Sequence, residues 1–183
     1  MTLTSILHML STMALPLLLA ITLHEAAHGY VAMKLGDKTA LMLGRVTLNP
    51  AKHIDLFGTI ILPIAMLILS QLTFAFGWAK PVPVIWKNLR KPRRDMAFVA
   101  LAGPFANLMM AFLWGYVAKL SLLLLSNDQT FLVTTGAFFY RAGEFGILIN
   151  LLLMLLNLIP IPPLDGSRVI SALLSPRMAL KYE

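Results

Sequence analysis

The chain contains no cysteine. Disulfides and thiolate metal sites are excluded, so any metal ion must be held by histidine, carboxylate or amide oxygen. Charge is also scarce: Asp, Glu, Lys and Arg make up 13% of the 183 residues, against 58% hydrophobic residues and a mean hydropathy of +0.80. That is too little polar surface to solvate an ordinary soluble domain. No Lys or Arg precedes the first apolar run, whereas a cleavable signal peptide wants a positive leading flank. Most of the basic residues lie in loops between apolar segments, and no aromatic-interleaved RNA-binding pattern accompanies them, so the net charge of +7 does not point to nucleic acid.

What is present is apolar length. Four stretches, 5–35, 56–77, 97–125 and 133–159, read as membrane segments, followed by a shorter amphipathic piece at 166–180. The expected fold is an all-α integral membrane protein, a polytopic helical bundle forming one domain over 1–183. The segment 39–49, "TALMLGRVTLN", is rich in strand formers and alternates loosely, which predicts a short cytoplasmic β-hairpin. Lys34, Lys38, Arg45 and Lys52 follow the first stretch and orient its C-terminal end toward the cytoplasm. Four simple crossings would then put loop 78–96 outside, although it carries Lys80, Lys87, Arg90, Lys91, Arg93 and Arg94. The conflict disappears if 56–85 is a re-entrant segment that returns through "FAFGWAKPVPV" to the side it left. Irregular backbone at membrane depth is tolerated only against protein or a water-filled cavity.

Inside the first stretch stands "HEAAH", residues 24–28. His24 and His28 are four residues apart, so both imidazoles share one helical face and can hold one metal ion, with Glu25 as the candidate base. Two histidines hydrogen-bonded across helices would be the plainer reading in a soluble helix. In an apolar span ionisable residues are rare and usually functional, which favours the metal. A catalytic zinc needs three protein ligands and one open position. Glu144 lies three residues from Arg141, which predicts an ion pair near the outer end of its helix. Asp165 follows "NLIPIPPLDG", whose Pro160, Pro162 and Pro163 forbid regular helix, and it falls on the same side as His28. It is the favoured third ligand over an ordinary helix-ending turn. Asn107, Asn150 and Asn157 suit interhelical hydrogen bonds, and Asn157 is the best placed to steady a substrate carbonyl. His8 and His53 have no partner at ligand spacing and read as structural or solvated.

Taken together, "HEAAH" (24–28), "AGPFAN" (102–107) and "NLIPIPPLDG" (157–166) closely resemble the site-2 protease family of intramembrane zinc metalloproteases. "FGWAKPVPV" (76–84) resembles the bacterial subgroup without an added PDZ or CBS domain. The resemblance implies Zn2+ on His24, His28 and Asp165, Glu25 as catalytic base, and Asn157 near the scissile carbonyl. It implies regulated intramembrane proteolysis: cleavage in or near a transmembrane segment of single-span membrane proteins or membrane peptides. The site would face the cytoplasm from within the bilayer, in a bacterial cell (inner) membrane. Members of the subgroup commonly continue with a further hydrophobic segment beyond "SRVISALLSPR", so a chain stopping at "KYE" reads as truncated at its C-terminus. The extended "WAKPVPV" is expected to pair with unwound substrate along one edge. The rival reading is a metal-transporting or metal-sensing membrane protein using the same ligands.

Overall fold

A computed structural model describes residues 3–70, 77–126 and 129–182. Three of its helices are long and apolar enough to cross a membrane: α1 (Leu3–Leu35), α4 (Pro92–Leu125) and α5 (Thr130–Leu158). Short helices α2 (Thr39–Met42), α3 (Leu62–Leu69), α6 (Asp165–Leu173) and α7 (Pro176–Tyr182) complete the order. Side chains such as Phe105, Phe112, Leu148 and Leu155 remain exposed on the outer faces of α4 and α5. This is the surface a helix bundle presents to lipid rather than to water.

Helices α4 and α5 pack through small residues. A Cβ on Gly143 would come within 2.7 Å of the Ala118 Cβ, so the two backbones are in close approach there. Trp114, Met110 and Ala142 form the buried centre of this contact, with Leu19 and Leu23 of α1 closing it from the other side. A second cluster, Ala32, Leu89, Met96 and Val99, joins the end of α1 to the start of α4. The Arg90 amide donates to the Leu35 carbonyl at 2.9 Å. The Arg93 guanidinium donates to the Ala172 and Leu174 carbonyls at the end of α6. The C-terminal end of α1, the N-terminal end of α4 and the piece following α5 therefore meet at one end of the bundle.

The expected fold needs correction in the connection between α1 and α4. No β-hairpin forms at 39–49, and no strand is found among the described residues. Asp37 decides the first half: its carboxylate accepts from the Thr39 amide at 3.0 Å and from the Thr39 hydroxyl, which starts the single helical turn of α2. Gly44 at φ +64° then turns the chain in the left-handed region, and Asn49 caps a 3₁₀ turn at Pro50–Lys52. Of the second expected membrane stretch, 56–77, residues 56–70 and 77 are described. A wide turn, Leu56–Ile61, runs into α3, and the 14 residues Leu56–Leu69 span about 21 Å at 1.5 Å each, against about 30 Å of hydrocarbon.

Residues 71–76, the first part of the expected return, lie outside the described residues. From Gly77 the chain is extended and lies beside its own point of departure, the Trp78 amide donating to the Gly58 carbonyl at 3.0 Å and the Lys80 amide to the His53 carbonyl at 2.9 Å. Pro81 and Pro83 have no amide to offer, so these single bonds do not extend into a ladder.

Candidate active site

The middle of α1 turns its only two histidines of that half into the bundle. His24 and His28 are 7% and 8% exposed, and their Nε2 atoms are 3.0 Å apart. Asp165 opens α6, where the proline-broken chain after α5 has just turned back. Gly166 allows that turn, since a Cβ there would stand 2.3 Å from the Leu158 carbonyl oxygen. The Asp165 Oδ2 lies 3.3 Å from His24 Nε2 and 3.2 Å from His28 Nε2. The structure thus brings together all three residues expected from the sequence to be ligands.

Hydrogen bonding on the far sides of the rings fixes where the protons are. His28 Nδ1 is 2.7 Å from the Val99 carbonyl, which can only accept, so Nδ1 carries the hydrogen. His24 Nδ1 is 2.5 Å from Asn107 Oδ1. The Asn107 amide nitrogen is committed to Asn150 Oδ1 at 2.9 Å and the Ala20 carbonyl at 3.3 Å, so its oxygen is the atom facing His24. Both Nε2 atoms are therefore bare lone pairs, pointed at one another and at a carboxylate oxygen that receives no hydrogen bond. Three buried acceptors crowded together repel unless a cation lies between them.

The triangle they make, 3.0, 3.2 and 3.3 Å on its sides, suits zinc. Bonds of about 2.0–2.1 Å in a regular tetrahedron put donors about 3.3–3.4 Å apart. Gly103 of α4 keeps the space open, because a Cβ on it would stand 2.4 Å from His28 Nε2 and 2.6 Å from His24 Nε2. The donor set is two imidazoles and one carboxylate with no thiolate, a combination that suits zinc.

Glu25, the next residue on α1, is partly buried and receives the Val82 amide on Oε2 at 2.7 Å. The extended piece 77–85 is held at a second point by Asp37, whose Oδ2 accepts from the Ile85 amide at 2.7 Å. Asn88 Nδ2 donates to the same carboxylate at 3.1 Å. Glu25 is thus tied through one oxygen, with Oε1 facing no protein donor among the described residues.

Other expectations fare differently. Asn157 spends one amide hydrogen on the Leu153 carbonyl at 2.9 Å, one turn back on its own helix. Asn107, read from the sequence only as an interhelical bond, touches His24 directly. Its signal was available in "AGPFAN", where Gly103 and Asn107 share a helical face. Among the described residues Glu144 forms no ion pair with Arg141. His8 is exposed, and His53 is a buried structural residue whose Nε2 bonds the Thr47 carbonyl at 3.0 Å.

Residues 12–181, which include the triangle and its neighbouring glutamate, match the family described as Peptidase family M50. The chain belongs to peptidase family M50. By that family and by its own donor set it is a zinc metalloprotease, and the resemblance to site-2 proteases stands. Similar proteins include YwhC of Bacillus subtilis, named as a candidate zinc metalloprotease, 40% identical over 96% of this peptidase and 74% of its own length. Rip2 of Mycolicibacterium smegmatis, named likewise, is 31% identical over 87% of this chain and 56% of its own. The archaeal MJ0611 of Methanocaldococcus jannaschii, also so named, is 34% identical over 55% of this chain and 46% of its own. The peptidase thus spans about half to three quarters of these relatives. No solved structure matches it.

Proposed function

We propose that this peptidase hydrolyses a peptide bond in or near a transmembrane segment of a single-span membrane protein, with zinc held by His24, His28 and Asp165. One observation carries the reading: two buried histidines and the half-buried Asp165 and Glu25 meet in a bundle whose long helices carry exposed Phe and Leu on their outer faces. A substrate reaching that site has to come from the lipid side or be drawn in from it.

Zinc, when bound, supplies a Lewis acid for the carbonyl and lowers the pKa of a water molecule. Glu25 Oε1 takes the proton from the attacking water and passes it to the leaving amine. The Val82 amide on Oε2 keeps the carboxylate in place while the proton moves. Asn157, with one amide hydrogen spent on Leu153 and a second to give, is proposed to donate to the developing oxyanion. The rival expectation of a metal-transporting or metal-sensing protein gives the tethered Glu25 no task.

The cell membrane is the proposed location, with the site end toward the cytoplasm. All Lys and Arg except Lys119 and Arg141 lie in or beside the segments that meet at that end, as expected when cytoplasmic loops collect positive charge. Regulated intramembrane proteolysis is the biological role this implies. The test is co-expression with tagged single-span proteins, with cleavage expected to stop on zinc chelation and in Glu25→Gln. Cleavage that survives both changes defeats the proposal. A cysteine placed at Arg93 should be labelled only from the cytoplasmic face, and labelling from outside reverses the orientation.

A further inference from the structure

Behind His24 runs a chain of hydrogen bonds that crosses all three long helices. The Asn150 amide nitrogen on α5 donates to the Gly146 carbonyl at 2.8 Å. Asn150 Oδ1 accepts from Asn107 Nδ2 on α4 at 2.9 Å, and Asn107 Oδ1 faces His24 Nδ1 on α1. Both asparagines are 0% exposed. If the pair served only to hold helices together, either orientation of each amide would do, since a flipped amide pair still makes one bond. Here the orientation is set by backbone carbonyls that can only accept: Gly146 acts through Asn150, and Ala20, at a longer 3.3 Å, acts on the Asn107 nitrogen directly. Gly146 C=O can only accept, so the Asn150 nitrogen must face it and its oxygen must face α4. Asn107 then has to turn its nitrogen to Asn150, leaving its oxygen toward His24. An imidazole meeting that oxygen must carry its hydrogen on Nδ1, which bares Nε2 toward the metal position.

We infer that Asn150, which touches no metal donor, is a positioning residue for the metal centre: it sets the tautomer and ring orientation of His24 through Asn107. The two histidines are held by different means. His28 takes its orientation from one backbone carbonyl of the adjacent helix, Val99, whereas His24 is held by the Asn107 side chain, whose shorter amide bond goes to Asn150 at 2.9 Å and whose longer one goes to Ala20 at 3.3 Å. Only His24 should respond to a change at position 150. The inference rests on the proposed role of His24 as a ligand, and a readout on metal-free protein separates the two.

The experiment uses the full chain in detergent with ¹⁵N-labelled histidine. In metal-free wild type, His24 should show the Nδ1–H tautomer by NMR, assigned by its loss in His24→Ala. In Asn150→Leu that resonance should become a mixture of tautomers while His28 is unchanged, and zinc affinity, measured by chelator competition, should fall about 10- to 100-fold. Asn150→Asp is the conservative partner: a buried carboxyl keeps its proton, so it can donate to Gly146 and still accept from Asn107. It should retain the wild-type tautomer and bind zinc within a few-fold of wild type. If Asn150→Leu folds and keeps both the His24 tautomer and the zinc affinity, the inference is overturned. If Asn150→Leu does not fold, Asn150→Asp decides: a mixed tautomer there overturns it. Zinc unaffected by His24→Ala would instead remove the ligand assignment and leave the tautomer result standing by itself.

Discussion

The three long helices and the connection from Gly36 to Lys91 solve the same problem in different ways. In the helices the backbone is already paired, so buried polar side chains bond to one another or to stray carbonyls: His28 to Val99, His24 to Asn107, Asn107 to Asn150. In the connection the backbone is irregular, and carboxylates supply the acceptors its amides lack. Asp37 takes the Thr39 and Ile85 amides, and Asp55 takes that of Gly58. Glu25 belongs to both regions. It stands on α1 beside the donor triangle, yet it accepts the Val82 amide from the connection. Rigid helices set the metal donors, and the connection sets the base.

The sharpest way to break that division is Glu25→Gln. Glutamine keeps an oxygen for the Val82 amide and leaves the three donors alone, so zinc content should remain at wild-type level. Cleavage should fall by about 10²-fold or more, the scale of a lost general base. Loss of zinc together with cleavage would move Glu25 into the metal set. On the helix side the matching change is Gly103→Ala. Its methyl would enter the space before His24 and His28 Nε2, and zinc affinity should drop about 10- to 100-fold, at least as far as when a supporting residue is lost. Wild-type zinc binding there would mean the triangle opens away from α4. A third variant, Val82→Pro, removes the tether on Glu25, along with the buried valine side chain that packs beside Gly29. Zinc should stay bound and cleavage should fall about tenfold, the rate equivalent of a hydrogen bond to a charged group. Unchanged cleavage would make the contact incidental.

This division also accounts for how much was legible in advance. His24 and His28 could be paired from spacing alone, because a helix converts four residues into one face. Asp165 could be reached because three prolines announce where the helix has to end. Gly103 and Asn107 could be placed on one face, but which partner Asn107 meets depends on how α1 and α4 are rotated, and helical periodicity in an all-apolar segment carries little rotational signal. Asn157 shows the limit, since its turn-back bond to Leu153 does not follow from its motif. The connection was misread where strand propensity at 39–49 was set against a capping carboxylate. Asp37 lies outside the alternating pattern, and a single side-chain acceptor outweighs a weak preference that has no partner strand to satisfy it. The Val82 to Glu25 bond joins residues 57 positions apart, and no local pattern reports such a contact.

The smallest expected effect concerns how the connection is held, and it is read through pH. Burial alone would raise the pKa of Asp37, but hydrogen bonds from the Thr39 hydroxyl, the Ile85 amide, the Asn88 side chain and the Thr39 amide outweigh it and hold the pKa below the ordinary carboxylate value. A carboxylate with a depressed folded pKa stabilises the fold above its unfolded value of about 3.9, and that contribution is lost as pH falls through the folded pKa. Asp37→Asn has no such term, and its amide nitrogen would face a donor where the wild type presents an acceptor. At pH 6 the metal-free variant should melt below the wild type, and the difference should shrink as pH is lowered past about 4, where the Asp37 carboxyl of the unfolded wild-type chain takes up its proton while the folded one is still ionised. Other titrating groups are common to both proteins and cancel in the comparison. A gap that stays constant from pH 6 to pH 3 would show that the connection is held by packing around Asp37 rather than by its charge, and the contrast between helix and connection would lose its chemical basis at that residue.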